Sequence, residues 1–268
     1  MAVSSYSDWA SLDMSSAPGD SPVAFCGDLS PASLLGAYKR GIVPFPANDE
    51  YSRNIEEFRY EDKVAEGVIA MVGSDRGDPF SVAWWSPDPR LVMKVGSSHV
   101  GRNVRKQLRH GPEWTTTADH SFQRVAEECR DGRETRWLTD PLLESLLVLH
   151  EMGWAHSIEV WEGPDLVGGA FGIGIGTAFS GDSMFNRRPN AARVAVADLA
   201  ARCALAGVAA IDAQWDSPFL RSLGAELMPR GHYLSMLAAG SSGRLPLPQQ
   251  VLAARRLIEL APAGWADM

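Results

Sequence analysis

Cysteine is scarce in this 268-residue chain: Cys26, Cys129 and Cys203 stand far apart, and no C-x-x-C occurs. An odd, dispersed set excludes a disulfide scaffold and a cysteine-rich zinc site, and it is expected of a reducing compartment. No apolar run reaches the roughly 18 residues of a membrane span. The first residues also lack a basic start followed by an apolar stretch, so no secretory leader is expected. The expected location is the cytoplasm. Positive charge is in deficit, with 25 Lys and Arg against 33 Asp and Glu, a net charge of −8. That excludes a uniformly basic nucleic-acid coat, though not a local basic patch. Missing too are a Walker P-loop, a G-x-S-x-G elbow and any H-E-x-x-H, and the six histidines lack metal-ligand spacing. Nucleotide hydrolysis, covalent catalysis and a resident metal are therefore not expected.

What is present is an ordinary globular composition, 45% hydrophobic and 22% charged, enough for one large domain or two modest ones. Residues 1–20 are rich in Ser, Ala, Asp and Gly and read as mobile. Ser30 followed by Pro31 predicts a helix start, and Gly41 a stop. Residues 47–79 carry nine acids and four bases and read as an inserted, partly helical surface segment. Together 21–90 would make a smaller N-terminal α/β domain. The following stretch contains Arg102, Arg105, Lys106 and Arg109, which share one face if helical, with no acid between residues 91 and 112. A solvated helix face usually interleaves both signs, so this stripe points to an anionic partner.

Downstream, a helix starting at Asp119 or Ser121 runs to about Arg130, and residues 140–152 read as another. Residues 155–161, 166–175 and 178–185 read as strands, 190–206 as a helix, and 208–212 as a buried strand. A meander followed by alternating helix and strand is an α+β pattern over 91–242, and 248–260 reads as a terminal amphipathic helix within a tail over 243–268. The glycines between 168 and 176 do not follow G-x-G-x-x-G and open no helix. They clear one strand face for close packing or for a ligand. Two carboxylates stand out: Asp182 on an otherwise apolar strand, and Asp212 at the end of another, with Gln214 two residues on. Strand ends of open sheets are where ligands bind, and an acid there is expected to be solvent-reachable and able to accept a proton.

These residues fall within ordered blocks. Gly27-Asp28-Leu29-Ser30-Pro31, Leu34-Leu35-x-Ala37-Tyr38-x-Arg40-Gly41-Ile42 and the stretch from Trp84 to Arg90 come first. Then follow Trp137-Leu138-Thr139, Leu149-His150-Glu151-x-Gly153, Ala155-His156-Ser157-Ile158-Glu159-Val160-Trp161 and Leu166-Val167-Gly168-Gly169. Last are Gly181-Asp182-Ser183-Met184-Phe185, Ile211-Asp212-x-Gln214 and Ser222-Leu223-Gly224-Ala225. Over about four-fifths of its length the chain resembles the leucyl/phenylalanyl-tRNA–protein transferases.

The resemblance implies a GNAT-like (acetyltransferase-like) mixed sheet with flanking helices as the catalytic domain. It also implies transfer of leucine or phenylalanine, less well methionine, from aminoacyl-tRNA to the N-terminal Arg or Lys of acceptor proteins, tagging them for N-end rule degradation. No cofactor is implied beyond the aminoacyl-tRNA, nor any membrane, and a monomer is expected. Asp212 and Gln214 would activate and place the attacking amine, and Asp182 would face the aminoacyl ammonium. Phe179, Met184, Val196, Leu199, Cys203 and Ile211 would line the side-chain pocket, together with Phe45. Trp137 would stack near the terminal adenosine, and the Arg102–Arg109 stripe would take the acceptor stem. The expected geometry sets residues 211–214 opposite residues 181–185 across an apolar hollow.

The chain departs from the family pattern at several positions. Asp182 stands where Glu is usual, Phe45 where a second tryptophan is usual, and Ala170, Leu199 and Cys203 are smaller than common. Asn190-Ala191-Ala192-Arg193 replaces Asn-Ala-Ser-Lys, and 47–79 has no counterpart in shorter members. Two rival readings exist. An acyl-CoA-dependent N-acyltransferase needs a Gly-rich pyrophosphate turn, but Asn186-Arg187-Arg188-Pro189-Asn190 has a proline and no glycine. A non-catalytic RNA- or peptide-binding adaptor would bind charged tRNA without transfer.

Overall fold

The computed structural model describes residues 8–73, 78–96, 100–131, 137–240 and 243–259. In chain order the elements are β1 Ala24–Phe25, α1 Pro31–Tyr38, β2 Val43–Pro46, α2 Glu50–Ala65, β3 Ala70–Met71, β4 Val82–Trp85 and β5 Arg90–Lys94. Next come α3 Arg102–His110, β6 Trp114–Ala118, α4 Phe122–Asp131, α5 Asp140–Glu151, β7 Ala155–Glu162, β8 Asp165–Ile175 and β9 Ala178–Asn186. The last are α6 Ala191–Leu205, β10 Ala210–Gln214, α7 Pro218–Arg221, β11 Glu226–Met228, α8 Arg230–Ala239 and β12 Leu252–Ala253. They form two compact units. One lies within Met1–Arg90, Arg133–Leu149 and Met228–Ala239, the other within Leu91–Gly132, His150–Leu227 and Gly240–Met268. The chain first passes from one unit to the other between Arg90 and Leu91, and two later segments return to the first unit.

The first unit holds a four-stranded sheet of order β2-β4-β1-β3, with β1 parallel to β3 and antiparallel to β4. Helix α1 begins as its sequence predicts, with the Ser30 hydroxyl accepting from the Ser33 N–H and Pro31 at the first helical position. It stops at Gly41, whose φ of +67° suits a residue without a Cβ. Helix α2 is capped by Asp49 and buries only Tyr60 along its length.

The expectation of mobility over 1–20 fails for residues 8–20. Asp8–Ser11 forms a 3-10 turn with Trp9 1% exposed, its indole N–H donating to Ser33 Oγ at 3.1 Å and its ring centroid 4.5 Å from that of Trp84. Arg230 donates to the carbonyls of Met14, Ala17 and Pro18, and Arg40 to that of Leu12. One aromatic anchor and carbonyl capture by arginine order a segment that composition alone reads as loose.

The second unit is built on an eight-stranded sheet of order β11-β5-β10-β9-β8-β7-β6-β12. Strands β6 to β9 run as an antiparallel meander, β10 joins β9 in parallel, and β5 pairs antiparallel with β10. Helix α6 buries eleven of its fifteen residues, which explains why its sequence is apolar nearly all round. The alternating glycines of β8 are filled by the chain itself: a Cβ on Gly172 would lie 2.0 Å from Ser180 O, and one on Gly174 would lie 2.7 Å from Leu245 Cβ. Of the two readings of that strip, close packing is the one observed at these positions.

The helix expected over 248–260 is not formed in the described part. β12 instead adds an edge strand to β6, with Leu252 opposite Thr116, and a 3-10 turn follows at Ala254–Ile258. The cause is tertiary. Arg202 donates to the carbonyls of Pro248 and Gln250 and to Asp198 Oδ2, and Arg256 closes on the other oxygen of Asp198. Extended backbone satisfied by a buried ion cluster overrides the local helical pattern.

Candidate active site

Strands β9 and β10 pair in parallel over three positions only, Ala178 with Ala210, Phe179 with Ile211 and Ser180 with Asp212. Past that point both strands become irregular. The β10–β5 register shifts between Asp212 and Gln214. The β8–β9 register shifts so that Gly172 faces Gly181 and Phe171 faces Ser183, which leaves Asp182 as the extra residue of a bulge. Bulges re-aim side chains, and here they do so at the carboxyl end of a parallel pair.

The re-aimed groups form one hydrogen-bonded set. Gln214 Nε2 donates to Asp182 Oδ1 at 3.0 Å and to Ser180 Oγ at 3.3 Å. Ser180 Oγ donates to Asp212 Oδ2 at 3.3 Å, and the Gln214 backbone N–H donates to Asp212 Oδ1 at 2.9 Å. Gln214 has φ +63°, a left-handed conformation that costs a non-glycine residue about 1–2 kcal/mol. The two-residue turn closed by the Asp212 carboxylate holds it there. Asp212 is wholly buried, which corrects the expectation of a solvent-reachable acid; Asp182, half-buried, is the more accessible of the two.

Asp182, Asp212 and Gln214 stand out in the sequence; Ser180 does not. Its signal is a hydroxyl in an apolar run, and it becomes informative only once the register places it beside Asp212.

The expected apolar residues also come together. Phe179, Val196, Leu199, Cys203 and Ile211 belong to one buried cluster, with Met184 partly buried against it. Burial pushes the Cys203 thiol above its usual range, so it stays protonated and inert. Phe179 and Ile211 precede Ser180 and Asp212, so the cluster and the carboxylates lie on opposite faces of the sheet. The two stretches expected to face each other across a hollow are therefore neighbouring strands. A ligand can reach both faces only beyond the end of their shared ladder.

In the first unit Phe45 and Trp137 stack at 6.2 Å between centroids with 22° between planes; Phe45 is 43% exposed and Trp137 is buried. Arg102, Arg105, Lys106 and Arg109 line an open pocket of about 550 Å³ along α3, with Val100, Gly101 and His110. None of the four basic side chains makes an ion pair among the described residues. His99 lies outside the described residues. His156 is structural, its Nδ1 2.8 Å from Asp119 Oδ2. That contact holds Asp119 below the usual carboxylate range against the opposing effect of burial. Among the described residues no group of three or more His, Cys, Asp or Glu could hold a metal ion, and no helix is long and apolar enough to cross a membrane.

Residues 92–238 match the family model described as leucyl/phenylalanyl-tRNA protein transferase. A leucyl/phenylalanyl-tRNA–protein transferase of Aromatoleum aromaticum is 38% identical over 222 residues, covering 82% of this chain and 81% of the relative. One from Xanthomonas axonopodis pv. citri is 35% identical over 81% of this chain and 77% of the relative. One from Shewanella baltica is 37% identical over 81% and 79%. Among solved structures, a conserved protein of unknown function from Bacteroides thetaiotaomicron aligns at 13% identity with a TM-score of 0.42, covering 81% of this chain and 90% of that one. On the strength of the family match and these relatives, the chain belongs to the leucyl/phenylalanyl-tRNA protein transferase family.

Proposed function

We propose that this protein moves leucine or phenylalanine, and less well methionine, from aminoacyl-tRNA to the N-terminal Arg or Lys of acceptor proteins. It acts as a cytoplasmic monomer, and the product is a degradation signal of the N-end rule type. The observation that carries the reading is the Asp182–Gln214–Ser180–Asp212 set at the divergence of β9 and β10, in a chain of this family. The meander β6–β9, followed by α6 and the parallel strand β10, supports a GNAT-like catalytic domain.

The chemistry asks little of the protein. An aminoacyl ester is already activated, and an α-amino group with pKa about 7.7–8.0 is partly neutral at physiological pH. What remains is to orient the amine, take its proton and stabilise the oxyanion. The amine nitrogen bonds to the ester carbonyl carbon, and the bond from that carbon to the ribose oxygen breaks. Asp212, buried behind Ser180, accepts a proton from the Ser180 hydroxyl as that hydroxyl takes one from the amine, and the proton then passes to the departing ribose oxygen. Gln214 places the amine and ester, and Ser180 fixes the second Asp212 oxygen. Asp182 pairs with the aminoacyl ammonium. The cluster of Phe179, Met184, Val196, Leu199, Cys203 and Ile211 provides the apolar wall, where each methylene is worth about 1–3 kcal/mol of discrimination. Trp137 and Phe45 supply a stacking surface for the terminal adenosine. The α3 stripe takes acceptor-stem phosphates.

The test is transfer of labelled leucine and phenylalanine from their tRNAs to peptides beginning with Arg, Lys, Asp or Glu. Transfer to the Arg and Lys peptides is expected. Binding of charged tRNA without transfer would make the protein an adaptor, and a tight acetyl-CoA complex would make it an acyl-CoA enzyme.

A further inference from the structure

Helix α2 has two unlike sides. Its inner side is fixed: Tyr60 packs on Phe25 at 6.0 Å between centroids, in a cluster with Ile69 and Ala83. Arg53 pairs with Asp78 at 3.0 Å, and Lys63 donates to Ser21 Oγ. Its outer side carries Tyr51, Ile55 and Phe58, exposed by 74%, 36% and 79%. They follow the i, i+4, i+7 spacing that aligns side chains into one stripe. Glu57, Glu61 and Asp62 are exposed with them and make no ion pair among the described residues. Arg53 and Arg59, by contrast, are engaged with Glu50 and Glu56. Arg53 and Arg59 are thus paired and Lys63 is held by the Ser21 hydroxyl, while Glu57, Glu61 and Asp62 have no cationic partner among the described residues.

Three large apolar side chains in register are what a helix presents when it docks on another polypeptide. The carboxylates beside them set the sign of the partner. They repel phosphate backbones and anionic lipid surfaces, and they attract lysine and arginine. The reaction proposed above brings two macromolecules to this protein, a polyanionic tRNA and a polypeptide that must be cationic at its reacting end. The basic stripe of α3 suits the first. We propose that the outward face of α2, with Tyr51, Ile55 and Phe58 flanked by Glu57, Glu61 and Asp62, docks the acceptor polypeptide through apolar and basic residues downstream of its N-terminal Arg or Lys. This inference rests on the aminoacyl-transfer reading. A second attachment raises the local concentration of the acceptor end without any new contact at the reacting atoms.

The test separates docking from transfer. The probe is a labelled polypeptide that starts with Arg and carries interspersed leucines and lysines further along; a control replaces the lysines with glutamates. Binding is measured by anisotropy to the wild-type protein and to a variant combining Tyr51→Ser, Ile55→Ser and Phe58→Ser. The wild type is expected to bind the lysine probe about tenfold more tightly than the variant does, and more tightly than it binds the glutamate probe, with added salt weakening the difference. Transfer to the dipeptide Arg-Ala, which has no leucine- and lysine-bearing downstream segment, is expected to be unchanged in the variant. Equal affinity of wild type and variant, or of lysine and glutamate probes, overturns the docking inference. So does a wild-type dimer that the three substitutions dissolve, because a second copy would then be the occupant. No transfer from leucyl- or phenylalanyl-tRNA to Arg-Ala by the wild type would overturn the activity reading instead.

Discussion

Replacing Asp212 by Asn tests the proposed chemistry with little change of shape. Asp212 Oδ1 accepts the Gln214 backbone N–H at 2.9 Å, and an asparagine carbonyl can keep that bond and the left-handed turn it closes. The amide NH2 then falls where Oδ2 now accepts from Ser180 at 3.3 Å, so the hydroxyl must turn round to accept. Exchanging a charge-assisted hydrogen bond for a neutral one in this buried place costs about 1 kcal/mol, a fall in Tm of roughly 2–4 °C. The proton acceptor is lost altogether, and general-base assistance is commonly worth about 10²–10⁴-fold. The expected outcome is transfer slowed at least about a hundredfold under single-turnover conditions, with the Kd for leucyl-tRNA unchanged. Full transfer by Asp212→Asn at unchanged tRNA affinity would refute the role of the carboxylate. Loss of transfer together with a collapse of Tm would make Asp212 a residue of the fold alone. The companion substitution Ser180→Ala leaves Asp212 Oδ2 and Gln214 Nε2 each short of one partner, and is expected to cost about 1–3 kcal/mol in urea unfolding.

Three further outcomes follow from the same geometry. Gln214→Glu would set a second carboxylate about 3 Å from Asp182, where the two cannot both ionise without one pKa being raised; transfer is expected to fall as the pH rises through that raised value in the variant, a limb absent from the pH–rate profile of the wild type. Lys106→Ala is expected to weaken aminoacyl-tRNA binding and to lower the slope of log K against log salt by about 0.7–0.9, one phosphate contact, as titrations at several ionic strengths would show. Asp119 has its pKa lowered in the fold, so its contribution to stability is present above the ordinary carboxylate pKa of about 3.9 and is lost as pH falls through the lower folded value. Asp119→Asn is expected to flatten the acid limb of stability, measured by urea unfolding from about pH 6 to pH 3.

The elements that sequence displays best are those whose signal is local. Ser30-Pro31 and Gly41 frame α1, and long alternating or apolar runs give β7, β8, β9 and α6. Strands β1 and β3 have two residues each and no periodicity to read, and β6, Trp-Thr-Thr-Thr-Ala, shows no alternation. Trp9 gave no warning of its burial, because its partners Ser33 and Trp84 are remote in sequence. Asp182 is legible as an acid on an otherwise apolar strand, and Asp212 with Gln214 as polar groups at the end of another. Their mutual placement was not, since it depends on a bulge at Asp182 and a register shift after Asp212 that arise only when β8, β9, β10 and β5 pair. For the same reason Ser180 escaped notice, and the two stretches expected to face each other proved to lie side by side.

The C-terminal segment has a consequence for synthesis. Leu245, Leu247, Ala254 and Leu257 sit in the same interior as Ile158, Phe179 and Val194, and the buried carboxylate of Asp198 is answered partly by Arg256. A growing polypeptide that has released everything through α8 still has a gap along β6 and an incompletely paired acid in its interior. The larger unit can therefore close only after translation has passed Leu257, which leaves its nascent form open to chaperones for nearly the whole of its production.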